Sequence, residues 1–355
     1  MDVVIIGASA VGGITAKECA SLGLETIMLE EHKIPGKMHK CSGVVSTKGL
    51  DSLGVDYSKS VLNEINGARI HFGKNFFDVK RKNVALVINR QAFDEECVRE
   101  AVEAGASLKT SFRASSFIEE KKVIVSNGVE EYCADVVVGC DGASSSTASL
   151  NDFPRIDLKD FVLCFEGEFP GVDVRSVDEV DVFLDNKAFP GFFGWSIPVN
   201  DNTIRVGFGC SDFTKINLLK KSFLKQRDLL EVEPVRAFHH LIPLRTRSKT
   251  QKGRILLAGD AAGQVKSTTG GGIVFGGNCG RTAANCVKRF LDGGSLNYEE
   301  EWRRKYFSAL RTHDLLRRFL NVVPSEVASV GLRASSFLGL PWFLSSFGDM
   351  DSIIK

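Results

Sequence analysis

The stretch VVIIGASAVGGITAKECASLGLETIMLEE, residues 3–31, decides the fold. Four apolar β-formers, Val3 to Ile6, stop at Gly7. Helical spacing predicts a helix from Val11 to Leu22, and Thr26 to Leu29 re-enters a sheet that ends at Glu30. Strand, tight turn, helix and strand make the βαβ dinucleotide fingerprint, in which Gly7 turns the chain and Gly12 or Gly13 lets helix pack on strand. The helix N-terminus aims amide N–H groups and a positive dipole end at a pyrophosphate. Glu30 stands where an acid binds ribose hydroxyls and disfavours a 2′-phosphate. The middle glycine of the fingerprint is Ser9, whose Cβ narrows the gap to the phosphates. FAD and NAD both fit these residues.

The 355 residues have room for a sizeable core and two closely joined domains. With 43% hydrophobic and 25% charged residues and a net charge of +1, composition describes a globular protein with no global pull toward nucleic acid or anionic membrane. The nine cysteines include no CxxC pair, which argues against a zinc site and a secreted disulfide framework, so no metal is expected. The chain enters its first strand almost at once, without a signal peptide, and has no apolar run of spanning length. A cytoplasmic location follows as an expectation.

Three later segments bear on the nucleotide. ADVVVGCDGASSSTA, residues 134–148, is an apolar strand running into Asp141-Gly142. In residues 87–106, Arg90 closes a strand and Gln91 to Ala104 shows helical spacing. This arginine either reaches a cofactor ribose or phosphate or is a solvated helix-start residue. LLAGDAAGQVKSTTGGGI, residues 256–273, is a second glycine loop with Gly259-Asp260 and Gly270-Gly271-Gly272. The order and spacing of Gly7, Ser9 and Gly12, Arg90, Asp141-Gly142 and Gly259-Asp260 resemble FAD enzymes of the glutathione-reductase-like, para-hydroxybenzoate-hydroxylase type over most of residues 1–295. The resemblance makes FAD the cofactor and the late loop the second wall of one FAD site. It implies that Asp260 bonds the ribityl hydroxyls and that a helix starting near Ala261 aims at the flavin's pyrimidine edge. There a helix N-terminus stabilises reduced, anionic flavin by roughly 0.3–2 kcal/mol. Gly270 to Gly272 would let backbone approach the isoalloxazine ring.

The implied fold class is α/β: an FAD-binding Rossmann-like domain with an inserted β-rich substrate domain and a C-terminal helical region. The expected FAD-binding segments are 1–60, 84–158 and 252–295, the substrate domain is 61–83 with 159–251, and the helical region is 296–355. No second GxGxxG follows a strand, so the electron donor is either transiently bound NAD(P)H or a ferredoxin-like protein. Two basic runs bear on such docking: Lys33, Lys37, Lys40 and Lys48, and Arg245, Arg247, Lys249, Lys252 and Arg254.

KCSGVVS (40–46) and AFPGFFGWSIPV (188–199), with the TTGGGI run, resemble the geranylgeranyl reductase family, whose archaeal digeranylgeranylglycerophospholipid reductases are the nearest branch. Phe193 replaces the usual tyrosine of that family's aromatic signature, Ile197 its later phenylalanine, and Ser267 a common proline. The resemblance implies an isoprenoid lipid substrate whose double bonds take a hydride from reduced flavin N5 and a proton from a second group. Cys41 is the first candidate for that proton; His39 and His71 are weaker ones. Phe189, Phe192, Phe193 and Trp195 would wall an apolar tunnel, the alternative being plain core packing. Composition leans toward the tunnel, with 25 phenylalanines against 4 tyrosines. A flavin monooxygenase acting on an apolar substrate and an electron-transfer flavoprotein serving a quinone are the competing readings. Residues 319–347 turn increasingly apolar, but Pro324, Arg333 and Pro341 exclude a spanning helix. The segment either covers the core or lies in a lipid interface as a peripheral membrane contact.

Overall fold

The computed structural model describes residues 1–37, 40–73, 75–322 and residue 351. The chain begins with β1 (Val3–Ile6), α1 (Ala10–Ser21), β2 (Thr26–Leu29), β3 (Val44–Ser46) and α2 (Thr47–Leu53). A long antiparallel pair, β4 (Val61–Phe72) and β5 (Asn75–Ile88), leads into α3 (Arg90–Glu103) and β6 (Ser107–Lys109). Then come β7 (Ser116–Glu119), β8 (Val123–Ser126), β9 (Glu131–Ala134), β10 (Val136–Gly139) and α4 (Ser146–Leu150). The middle carries β11 (Phe161–Pro170), β12 (Glu179–Phe183), β13 (Gly194–Pro198), β14 (Thr203–Cys210), α5 (Ile216–Gln226) and β15 (Arg236–Pro243). Two short strands, β16 (Gln251–Lys252) and β17 (Ile255–Leu257), precede α6 (Ile273–Leu291), α7 (Tyr298–Trp302) and α8 (Ser308–Val322).

Six strands form the first sheet in the order β16-β17-β10-β1-β2-β6, parallel except for β16. Its central strands β1, β10 and β17 are uninterrupted runs buried on both faces. Val3 and Ile5 pack with Ala16 of α1, Val98 of α3 and Ala283 of α6. Val4 and Ile6 face Val123 and Val125 of the three-stranded β7-β8-β9 sheet. The helix α1 lies within one residue of its predicted span, and so does α3. Asn89 Oδ1 fixes the start of α3 by accepting from the Gln91 and Ala92 N–H groups at 3.1 and 3.2 Å.

Eight strands form the second sheet in the order β15-β11-β14-β13-β12-β4-β5-β3, antiparallel except where β12 meets β4. This sheet draws on more chain than segments 61–83 and 159–251. β5 runs unbroken past residue 84, and β3 joins it with Val44 opposite Val87. One expectation is corrected. No α-helix starts near Ala261; a single 3₁₀ turn, Gly259–Ala262, ends at Gly263, and α6 starts only at Ile273. Gly263 ends the turn in the left-handed conformation (φ +69°), and the Arg245 carbonyl occupies the space a Cβ there would need, so the position takes glycine. The glycine run 270–272 therefore leads directly into the 19-residue helix.

Candidate functional site

Backbone packing brings the glycine segments together. Gly7 has φ +94°, and a Cβ there would come within 2.8 Å of the Cys140 carbonyl at the end of β10. A Cβ on Gly12 would run into the Gly7 carbonyl, and one on Gly259 would meet Val11 at 3.1 Å. The β1–α1 turn, the end of β10 and the end of β17 thus abut one another. Ser9 is the N-cap of α1 but its side chain makes no capping bond, and the first turn contains no acid. The free N–H groups and dipole of α1 therefore face this junction uncompensated. Glu30 closes β2 beside the turn, 8% exposed. Its carboxylate accepts from the Ala8 N–H at 2.8 Å and from the His32 N–H at 3.0 Å.

Arg90 links this junction to the second sheet. Its guanidinium donates to both Asp94 oxygens, at 2.8 and 3.1 Å, and bonds the Cys41 thiol, while its buried Nε has no partner. Asp260 lies in the field of Arg90. Burial pushes its carboxyl up to about 6 although Arg90 pulls it down. A Cβ on Gly272 would come within 2.5 Å of Asp260 Oδ1, so this acid sits at the start of α6.

A cavity of about 190 Å³ lies between the eight-stranded sheet and the glycine run. Phe192, Phe193, Trp195, Ile197 and Ile242 line it from the sheet, and Gly270 to Gly272 from the other side. Phe192 and Phe193 stack at 4.4 Å, and Trp195 meets Phe193 edge-on at 5.6 Å. Cys41 and His240 bring polar groups to the lining. Burial, with the Lys40 and Arg90 charges, pushes the His240 imidazole down to about 4, so it is neutral at pH 7. Its Nδ1 is buried without a hydrogen bond. Lys266 and Ser46 also line the cavity and both bond Asp351, the lysine at 2.6 Å.

A family profile described as an FAD binding domain matches residues 1–280. The chain belongs to this FAD-binding family. FAD is its cofactor, and it is an FAD-dependent oxidoreductase. It is 28% identical over 354 residues to a Methanopyrus kandleri protein named digeranylgeranylglycerophospholipid reductase 2, covering 90% of this chain and 87% of that one. A Methanothrix thermoacetophila protein named digeranylgeranylglycerophospholipid reductase is 28% identical over 373 residues, with 94% of each chain covered. Among solved structures, a geranylgeranyl bacteriochlorophyll reductase-like protein of Thermoplasma acidophilum shares the fold. Its TM-score is 0.86 at 20% identity, over 99% of this chain and 93% of that one. The resemblance read from the sequence therefore holds at the level of family, fold and cofactor.

The flavoprotein's own residues fit a dinucleotide. The buried Arg90 Nε lacks a partner, the Ser9 hydroxyl makes no cap, and the Asp260 carboxyl is shifted by burial and Arg90 charge with no hydrogen bond contributing. Gly13 serves packing, since a Cβ there would strike Cys97 of α3 at 2.8 Å. Gly142 (φ +76°) faces open space. Two expected site residues are engaged elsewhere. Asp141 accepts from the Ser145, Ser146 and Thr147 hydroxyls and the Thr147 N–H, at 2.6–3.1 Å, and so fixes the start of α4. Phe189 is not in the cavity wall; it packs with Phe208 and Phe223 on the far face of the sheet.

Neither weaker proton candidate is placed in the lining. His39 lies outside the described residues. His71 stacks on Phe183 at 4.5 Å and bonds Asp181 at 2.7 Å. Burial alone would raise the Asp181 carboxyl, but His71 and Arg175 hold it below the usual range. The second basic run is a charged surface only in part: Arg245 and Lys249 are exposed, the others are engaged. Arg247 is buried and bonds the Ala261 and Pro154 carbonyls, and Lys252 holds those of Asn151 and Asp152. Lys33, Lys37, Lys40 and Lys48 are all exposed. Sequence reasoning missed His240, whose arrival in the same cavity lining as Cys41 depends on pairing of distant strands. It also missed Glu166, which carries a signal: an acid on the strand face that Val162 and Cys164 give to the core.

Proposed function

We propose that this flavoprotein reduces carbon–carbon double bonds in the isoprenoid chain of a lipid. The observation that carries the reading is the aromatic cavity set between the eight-stranded sheet and the glycine run, with the Cys41 thiol in its lining. The names of the archaeal relatives support the same substrate class. Ser9 and the α1 N-terminus would hold the pyrophosphate, Glu30 the adenosine ribose, and Arg90 and Asp260 the middle of the cofactor. When bound and reduced, FAD supplies the hydride. Phe192, Phe193 and Trp195 exclude water and hold an apolar chain still, which an alkene with no carbonyl to polarise requires. Cys41 is the group that would pass a proton from Sγ to the alkene, with the Arg90 guanidinium hydrogen-bonded to it.

The exposed lysines at 33, 37, 40 and 48 favour an acidic protein as electron donor, with NAD(P)H as the other outcome of a donor assay. No helix among the described residues is long and apolar enough to cross a membrane. The segment 319–347 lies mostly outside the described residues. Its first residue, Phe319, is 64% exposed on α8 with Leu315, which supports a peripheral lipid contact. Deleting residues 337–355 should then abolish co-sedimentation with liposomes, whereas Asp351→Ala alone, which removes only the Lys266 and Ser46 partner, should not.

Anaerobic photoreduction followed by addition of a geranylgeranyl lipid tests the main reading. Flavin reoxidation with hydrogen gained by the lipid is expected. A flavin that stays reduced until oxygen enters, with oxygen then gained by the lipid, would overturn it in favour of a monooxygenase.

A further inference from the structure

Trp195 is held more tightly than a wall residue needs to be. Its Nε1–H donates to Glu166 Oε2 at 2.9 Å, and both side chains are buried. The three strands involved explain how an indole reaches that far. Glu166 on β11 lies opposite Gly207 on β14, and Gly207 lies opposite Trp195 on β13, so the three residues form one row across the sheet. The middle member has no side chain. A Cβ on Gly207 would come within 2.6 Å of Trp195 Cζ2 and 2.7 Å of Cε2. The indole therefore lies flat across β14, and its N–H meets the acid two strands away. Phe193 closes the free edge of the ring.

An acid is a costly choice for the far end of that row. Glu166 is 1% exposed, and its Oε1 makes no hydrogen bond. Arg236 stands 3.9 Å from it, while Arg205 is engaged by Glu168 and by the Ser42 and Ile88 carbonyls. An apolar side chain of the same size would avoid the desolvation, but it would leave the indole N–H without an acceptor and the ring free to turn.

We propose that Glu166 is a positioning residue: it fixes the Trp195 indole flat over Gly207, and the plane so fixed sets which apolar chain the cavity accepts. The second half rests on the lipid reading above; the first does not.

The test uses the full FAD-loaded chain labelled with 5-fluorotryptophan. Its ¹⁹F spectrum has three tryptophans to resolve, and Trp195→Phe identifies the one of interest. Binding of geranylgeraniol and of farnesol is followed in parallel by the flavin absorption spectrum, without turnover. Glu166→Met should shift and broaden the Trp195 resonance and cut the preference between the two alcohols at least tenfold. Glu166→Gln, which keeps an acceptor, should restore both. A Glu166→Met protein with the wild-type resonance and the wild-type preference overturns the proposal. Should that variant fail to fold, Trp195→Phe removes the donor from the other side. It must flatten the preference in the same way, and an unchanged preference overturns the proposal. Should the wild-type chain bind neither alcohol, the lipid reading fails and the resonance alone decides whether Glu166 positions the ring.

Discussion

On one face of the eight-stranded sheet, Phe165, Phe169, Phe183, Phe189, Phe208 and Phe223 close on one another beneath α5; on the other, Phe192, Phe193 and Trp195 leave about 190 Å³ open. Both faces are aromatic and both are built on the same strands. The difference lies in what alternates with the aromatics. β14 sends Ile204, Val206 and Phe208 to the closed face, and Arg205, Gly207 and Gly209 to the open one. A Cβ on Gly209 would come within 2.5 Å of the Phe192 ring, and one on Gly207 within 2.6 Å of Trp195. Rings on the open face therefore lie along the sheet and leave space above it. The covers differ in the same sense: α5 brings Phe223 and Leu224 to the closed face, whereas residues 270–272 bring no side chains at all. Here a cavity comes from side chains left out, not from a special set put in.

The largest test of that contrast is truncation on each face. Phe189→Ala should lower unfolding free energy by about 3–5 kcal/mol while the folded fraction keeps its FAD. Trp195→Ala, which borders an existing cavity, should cost about 3 kcal/mol or less and should harm binding of long prenyl chains more than flavin reduction. Denaturant titration and flavin content measure both; equal losses in every readout would mean the open face is only core.

The second test is pH. Burial pushes the Glu166 carboxyl up to about 7, against the pull of Arg205, the Trp195 hydrogen bond and Arg236, with Glu168 adding to the rise. The folded protein holds this proton where the unfolded chain has lost it. Stability should therefore fall as pH rises from about 4.5 to about 7, by about 3 kcal/mol in total, and stay at the lower value above that window. Glu166→Gln should remove that part of the slope, as read by denaturation at pH 5 and pH 8. An unchanged slope would place the ionisation elsewhere.

Asp260→Ala removes a carboxyl from the cofactor side of the open face. FAD affinity should fall by about 1.5–3 kcal/mol, measured by fluorescence titration of the apoprotein. The smallest expected change in stability belongs to Cys41→Ala, within about 1 kcal/mol and with FAD retained, while alkene reduction drops sharply. Reduction at the wild-type rate would make Cys41 a packing residue.

The local elements were legible because local chemistry makes them. VVII and VVVG could only be strands buried on both faces, and Gly7 marks a turn whose backbone leaves no room for a side chain. The motif Asp141-Gly142 was legible as a turn but not in its use, since the acid's hydrogen bonds go to a helix that starts five residues later. Phe189, Phe192 and Phe193 are equivalent in the sequence. Which side of the sheet each one takes is decided by the loop entering β13, outside any periodic pattern. His240 reached the cavity lining only through the pairing of β15 with β11, which no local signal announces.

The parallel sheet also dictates an order of assembly. Val3 pairs with Val136, and Val137 pairs with Ile255, so its centre joins residues from the beginning, middle and late part of the chain. All eight strands of the other sheet leave the ribosome before β17 does. Until then β10 exposes a bare apolar edge, open to pairing with another nascent chain. Pairing over such separations is slow, because chain entropy is lost before contacts repay it. The strand that finally covers this edge is followed at once by Gly259-Asp260. With Gly259-Asp260 holding FAD as proposed, yellow colour acquired during synthesis would report completion of the sheet.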